Sequence, residues 1–395
     1  MKYTVIDVET TQKNKGDDAR GRFGASPFHP DNRIVHLGQK CLEDGEYLSC
    51  DEALLIGSTL DADVLIGHNI KFDLHYLNKY HDMAQWVRDG GMIWDTMVAE
   101  YVLSGQSANG KTPGSLKLGK VLEGYGLEHT LKDTVSEYFE AGMGAEEIPE
   151  DEILPYLEED VTLTAELFER QAQEAIERGQ MPLLMNMMEA TLATWVMEMN
   201  GAVIDTKSLR MYGDVVTGHL KMTVEQAQEL VQVRTAYHEF NPNSDEQLST
   251  ILFGGMLKYT YDEVQNDEEG NPLKYKSGKK KGQIKTKKAV GELPQPRRLD
   301  PERYGSVRGK KCYSVTDAVL SSIQEDALVT PWLHVLCELV QKVRSYKKEM
   351  STYIDGYLSR VWHDGKLHPE YTTTTTETGR LSCRNPNLQN IKSRG

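Results

Sequence analysis

Four carboxylates and one phenol stand in this sequence at spacings that could build a single reactive site. Asp7 and Glu9 lie two residues apart in VIDVET, a stretch that reads as a strand, so both side chains leave the same face. Tyr156 and Asp160 lie four apart in PYLEEDVTLT, on a predicted helix, and share a face there. Asp73 falls in the first turn of the helix expected after the apolar run VLIGH, and Asn69, four residues earlier, sits at the end of that strand. Carboxylates that converge repel one another unless cations lie between them. Hard divalent ions such as Mg²⁺ or Mn²⁺ suit such oxygen sets, with water and substrate phosphate completing the coordination. Two such ions about 4 Å apart can activate a water and stabilise the leaving oxygen in phosphodiester hydrolysis. A tyrosine hydroxyl beside them would orient that water through a hydrogen bond rather than act as a strong base. In a chain with 60 acidic residues each pair alone arises by chance. The order DxE, NxxxD, YxxxD on strand, helix and helix is far more specific.

The elements that must position these groups can be read from periodicity. Residues 2–9 alternate with period two. RIVHLGQKCL and EYLSC, separated by Glu43, Asp44 and Gly45, read as a hairpin. VLIGH reads as a buried strand, IKFDLHYLNKY as a helix, and MIWDTMV as a strand passing into a helix. From about 115 to 178 the pattern is helical, broken by turns at 141–149. Strands followed by surrounding helices predict one α/β domain over 1–178. A methionine-rich stretch follows and reads as adaptable core, ending where Gly201 stops a helix and AVID resumes extended. Residues 207–236 and 316–360 are amphipathic and mostly helical. Between them, 255–311 is rich in Gly, Lys and Pro, with LKYTY, PLKYK and GQIKT alternating like short ribbon strands.

At 395 residues the chain is long enough for two or three domains. No apolar run approaches the roughly 20 residues that span a bilayer, so no membrane partner is expected. The first ten residues alternate and carry two acids, which is unlike a signal peptide. Five scattered cysteines without a CxxC pair read as packing thiols in a reducing cytoplasm. A net charge of -15 would argue against a nucleic-acid partner if it were even. Residues 271–311, however, hold 14 Lys and Arg against 3 Asp and Glu, leaving 31 basic and 57 acidic residues elsewhere. One basic segment on an acidic body predicts a local polyanion contact.

The ordered acidic set resembles the proofreading exonuclease domain of family A (bacterial polymerase I-like) DNA polymerases, of the DEDD class with an active-site tyrosine. WDTMVAEYVL is similar to that family's stretch at this place. Downstream, MEMNGAVID resembles the passage into the thumb, FNPNSDEQLSTILF the thumb motif, and KKEMSTYID the helix returning from the thumb tip. TTTTTETGRLSCRNPNLQNIKSRG resembles the element that opens the palm. The resemblance implies an RNase H-like α/β exonuclease domain at 1–178, a mixed sheet flanked by helices. It implies a mainly helical thumb region at 179–366 with a basic insertion at 255–311, and the first strand and loop of a palm at 367–395. Asp7, Glu9, Asp73 and Asp160 would hold two Mg²⁺ or Mn²⁺ ions, Tyr156 would position water, and Asn69 would contact the terminal nucleotide. The expected reaction is 3′–5′ hydrolysis of a single-stranded DNA 3′ end. Arg380, Asn387, Gln389 and Asn390 would contact primer–template, in keeping with planar donors on Arg and amides that read the minor groove.

The polymerase aspartates of that family do not occur in these residues, since His81-Asp82 and His363-Asp364 precede the TGR element and neither is followed by Glu. Two explanations are open: a naturally split enzyme with a separate C-terminal polymerase subunit as partner, or an N-terminal fragment. The compact layout resembles phage replication polymerases, which would place the protein in a bacterial host cytoplasm. Lys279, Lys280 and Lys281 are expected to touch phosphate; a solvated disordered loop and a docking site for a processivity factor are the alternatives. A free-standing exonuclease acting on RNA or damaged DNA, and a non-catalytic primer–template clamp, are the rival functions.

Overall fold

The computed structural model describes residues 1–12, 25–52, 61–105, 116–141 and 143–391, with the side chains of 132–134 excepted. These residues form two compact units, one of 1–204 with 359–395 and one of 205–358. Among them no helix is long and apolar enough to cross a membrane.

The first unit is built on five strands: β1 (Tyr3–Thr10), β2 (Ile34–Cys41), β3 (Tyr47–Asp51), β4 (Val64–Gly67) and β5 (Met92–Asp95). Their order across the sheet is β3-β2-β1-β4-β5. The β1–β2 and β2–β3 pairs are antiparallel, and the β1–β4 and β4–β5 pairs parallel. Parallel neighbours need covering on both faces, and β4 accordingly is buried along its whole length. The helices in chain order are α1 (Lys71–Leu77), α2 (Met83–Arg88), α3 (Thr96–Leu103), α4 (Leu118–Gly124), α5 (Lys132–Ala141), α6 (Glu150–Glu177) and α7 (Met181–Asn200).

α6 matters most for the chemistry. Ile153, Leu157 and Val161 recur every fourth residue and are wholly buried, which lays one stripe of the helix on the sheet. The landing place is Gly38 of β2: a Cβ there would stand 2.8 Å from Leu157 Cγ and 2.9 Å from Val161 Cγ2. The missing side chain is what lets α6 approach.

The domain boundary differs from the one expected at 178. α7 packs against β5, α1 and α3, and its Leu184, Met188 and Trp195 belong to the same apolar core as β1 and β4. Residues 179–204 therefore lie in the first unit rather than with the helices of the second. Residues 359–366 do so as well. Strand β6 (Ala202–Val203) pairs with β9 (Lys366–Leu367), and β10 (Glu370–Thr372) pairs with β11 (Ser382–Arg384).

The second unit contains α8 (Thr206–Thr235), α9 (Asp245–Phe253), α10 (Asp317–Glu325), α11 (Pro331–Lys348), a π-helical turn at Glu349–Ile354 and α12 (Asp355–Leu358). Ser244 caps α9 by accepting the Gln247 N–H at 3.3 Å. Leu248, Ile251, Leu252, Leu336 and Val340 share its core. The basic insertion is a long two-stranded ribbon, β7 (Gly255–Val264) against β8 (Thr286–Gln295), in register over ten residue pairs. Three short strands were expected. LKYTY lies in β7, whereas PLKYK and GQIKT pair with each other beyond it, through the bridge Lys274↔Ile284 and backbone bonds such as the Tyr275 N–H to the Gln283 carbonyl at 2.9 Å, and Thr286 opens β8.

Candidate active site

β1 carries Asp7 and Glu9 on one face, and Asp7 stands across from Gly38 in the β1–β2 register. Because α6 rests on Gly38, its Tyr156 and Asp160 come to the same place as the two β1 acids. Asp73 arrives on the first turn of α1. The parallel β1–β4 pairing stops at Val5↔Ile66, and beyond it the Val8 N–H donates to Asp73 Oδ1 at 3.2 Å. That bond pins α1 to β1.

Burial and neighbouring charge act on these groups in one direction. The Asp7 carboxyl is pushed up to about 8, first by removal from water and then by the charge of Asp160, with the Val8 N–H offsetting part. Glu9 is pushed well above the usual carboxylate range by burial, then by Asp7 and Asp160. Asp73 is raised in the same direction by burial, then by Asp7. Burial and the charges of Asp160, Glu9 and Asp7 raise the Tyr156 phenol, which keeps its proton through the neutral range. Among the described residues no Lys or Arg forms an ion pair with Asp7, Glu9 or Asp73. A set of close, unneutralised carboxylate oxygens is the donor chemistry that hard divalent cations satisfy.

As the side chains stand, no three His, Cys, Asp or Glu among the described residues enclose a single ion. Two interactions explain the spread. Asp73 is drawn to the Val8 N–H, and Asp160 Oδ1 lies 2.6 Å from His129 Nε2. His129 also stands 3.2 Å from Glu159 through Nδ1 and packs its ring 5.3 Å from that of Tyr156.

Asn69 is exposed and takes a left-handed φ of 60°. What holds it there is Asp95, the cap of α3. Its buried carboxylate accepts the N–H groups of Asn69 at 3.0 Å, Ile70 at 3.2 Å and Met97 at 3.0 Å. His129, Asp95 and Gly38 were not singled out from the sequence. Only Asp95 left a legible signal there, an Asp-Thr step opening a helix.

The remaining expected residues lie apart from the acidic cluster. Arg380, Asn387, Gln389 and Asn390 are all exposed, on the turn between β10 and β11 and on the loop after β11. Thr376 Oγ1 donates to the Arg380 carbonyl at 2.7 Å, and Asn387 Oδ1 accepts the Gln389 N–H at 3.0 Å. Lys279, Lys280 and Lys281 are exposed in the second unit, at the turn joining the ribbon strands.

Residues 274–395 match the family model described as DNA polymerase family A. The chain is 27% identical over 311 residues to DNA polymerase I of Geobacillus stearothermophilus, covering 77% of this chain and 28% of that protein. It is 28% identical over 304 residues to DNA polymerase I of Lactococcus lactis subsp. cremoris, covering 76% and 27%. With DNA polymerase I of Chloroflexus aurantiacus the identity is 26% over 343 residues, covering 83% and 28%. The chain thus spans between a quarter and a third of the length of these relatives. Among solved structures, the POL domain of Pol1 from M. smegmatis, in complex with DNA primer-template and dNTP, matches with a TM-score of 0.59 at 18% identity, over 92% of this chain and 50% of that one. The chain is family A DNA polymerase-like, and its fold is similar to a polymerase I structure.

Proposed function

We propose that this chain carries a metal-dependent 3′–5′ exonuclease centre acting on DNA, the editing portion of a family A polymerase-like protein. The observation that carries this reading is geometric: Asp7 and Glu9 share one face of β1, the Val8 N–H holds Asp73 Oδ1 at 3.2 Å, and α6, bearing Tyr156 and Asp160, rests on Gly38 opposite Asp7. The sheet order β3-β2-β1-β4-β5, with the acids on its central strand and flanking helices, supports an RNase H-like reading of the domain. The neighbouring Pol1 structure holds DNA primer-template, which supports DNA as the substrate.

Asp7, Glu9, Asp73 and Asp160 are the residues that would hold two Mg²⁺ or Mn²⁺ ions. Bound there, the ions would activate water and stabilise the charge that builds on the scissile phosphate and leaving oxygen. Tyr156, fixed as a neutral phenol, offers a hydroxyl that aligns the attacking water without removing its proton outright. Asn69, held at a left-handed turn by Asp95, presents its amide to the terminal nucleotide. Arg380, Asn387, Gln389 and Asn390 supply exposed donors for the paired part of the primer, and the ribbon lysines add binding to phosphate.

The test is degradation of a 5′-labelled single-stranded DNA with Mg²⁺. The chain should shorten it stepwise from the 3′ end and release nucleoside monophosphates. Asp7→Ala should abolish this while the chain stays folded. An unchanged rate in Asp7→Ala overturns the assignment.

A further inference from the structure

Glu198, near the end of α7, is nearly sealed from solvent yet fully engaged. Its Oε1 lies 2.6 Å from Lys71 Nζ and accepts the Tyr371 N–H at 2.6 Å; its Oε2 lies 2.7 Å from His75 Nε2. Lys71 Nζ donates in turn to the Tyr371 carbonyl. One ion pair therefore grips both polar groups of a single peptide residue in β10. The backbone carbonyl of Glu198 also accepts from His368 Nδ1 at 2.6 Å, just before that strand.

The two ends of this clamp belong to different parts of the proposed chemistry. Lys71 opens α1, two residues after Asn69 and two before Asp73. Tyr371 pairs with Cys383 across the β10–β11 hairpin, whose turn carries Arg380. A cavity of ≈ 310 Å³ runs alongside, lined by Asn69, Lys71, Glu198 and Tyr371 and also by Arg384 and Asn385.

We infer that Glu198 and Lys71 are a positioning pair, which fixes the distance between the hydrolytic helix α1 and the hairpin that grips primer–template. The inference rests on the exonuclease reading above. A buried ion pair gains little over a well-packed apolar pair in stability, so a role in registering two sites accounts better for a carboxylate whose oxygens meet three separate partners. A free single strand engages only the hydrolytic end and does not need the register. A mismatched primer still paired to its template is held at both ends and does.

The experiment compares two substrates, a single strand and the same strand as a mismatched primer on a template. Glu198→Gln keeps the shape and one acceptor but removes the charge that Lys71 and Tyr371 share. It should lower kcat/KM on the primer–template about 10-fold, within the range of coupling energies between contacting residues, and leave the single strand within about twofold. If the single variant does not fold, Lys71→Met combined with Glu198→Gln removes the stranded ammonium and should show the same split. Equal losses on both substrates, as a merely structural role predicts, overturn the inference. Degradation of neither substrate by the unaltered chain overturns the exonuclease reading and this inference with it.

Discussion

Asp7 and Gly38 face each other across the β1–β2 ladder, and the second makes the first useful. α6 can bring Asp160 beside Asp7 only because position 38 has no side chain, a Cβ there lying 2.8 Å from Leu157 Cγ. Gly38→Ala should therefore act as overpacking, costing about 1–3 kcal/mol of stability, and should push Tyr156 and Asp160 away from the β1 acids. Chemical denaturation checks the first effect. The second predicts that the exonuclease kcat falls further than the folded fraction does; kcat tracking the folded fraction alone would contradict it.

His129 donates to Asp160 from Nε2 and flanks Tyr156 with its ring. A group that fixes a ligating carboxylate governs how well that carboxylate serves a metal, typically by 10–100-fold. His129→Ala should weaken Mn²⁺ binding, followed by calorimetry, by about 10-fold or more, with a smaller effect on melting temperature. Unaltered Mn²⁺ affinity would remove His129 from the site.

Much of the arrangement was legible because local rules sufficed. Asp7 and Glu9 share a face by the twofold period of a strand, and Tyr156 and Asp160 by the turn of a helix. What escaped depends on distant partners. Gly38 is an ordinary strand residue until α6, more than a hundred residues on, lands on it. His129 meets Asp160 across 31 residues, and Lys71 meets Glu198 across 127. The boundary at 178 failed for the same reason: the methionine-rich helix looks the same whether it packs back on β5 or onward into the next unit. The insertion was recognisable as basic and ribbon-like, but its register was not, because alternation alone does not say which two runs pair.

The acidic cluster gives the protein a pH dependence of defined sign. Folded Asp7 keeps its proton up to about pH 8, whereas an unfolded aspartate loses it near 3.9. Proton binding therefore favours the folded state; this contribution is complete below about pH 4 and is lost as the pH rises through 8. Glu9 and Asp73 act in the same direction. In the presence of a chelator the unaltered chain should lose melting temperature, relative to Asp7→Asn, as the pH climbs through that window. Mn²⁺ should restore it and release protons on binding. Parallel pH profiles for the two proteins would show that Asp7 is not strained by its neighbours.

Five of the ribbon lysines form two groups that a salt titration separates. Lys287 and Lys288 are already matched across the strands, to Glu263 at 3.0 Å and Asp262 at 3.1 Å. Lys279, Lys280 and Lys281 sit at the turn, with Tyr275 beside them and Lys280 Nζ 5.9 Å from its ring. Every lysine–phosphate pairing removed should reduce the slope of log K against log salt by about 0.9 on duplex DNA. Charge-neutralising Lys279, Lys280 and Lys281 together to Gln should therefore weaken primer–template binding and flatten that slope by up to three such steps. The same change at Lys287 and Lys288 should leave both nearly unaltered, since those ammonium groups already have partners. Equal slopes in the tip variant and the unaltered chain would exclude phosphate binding by the ribbon and leave its charge to another partner.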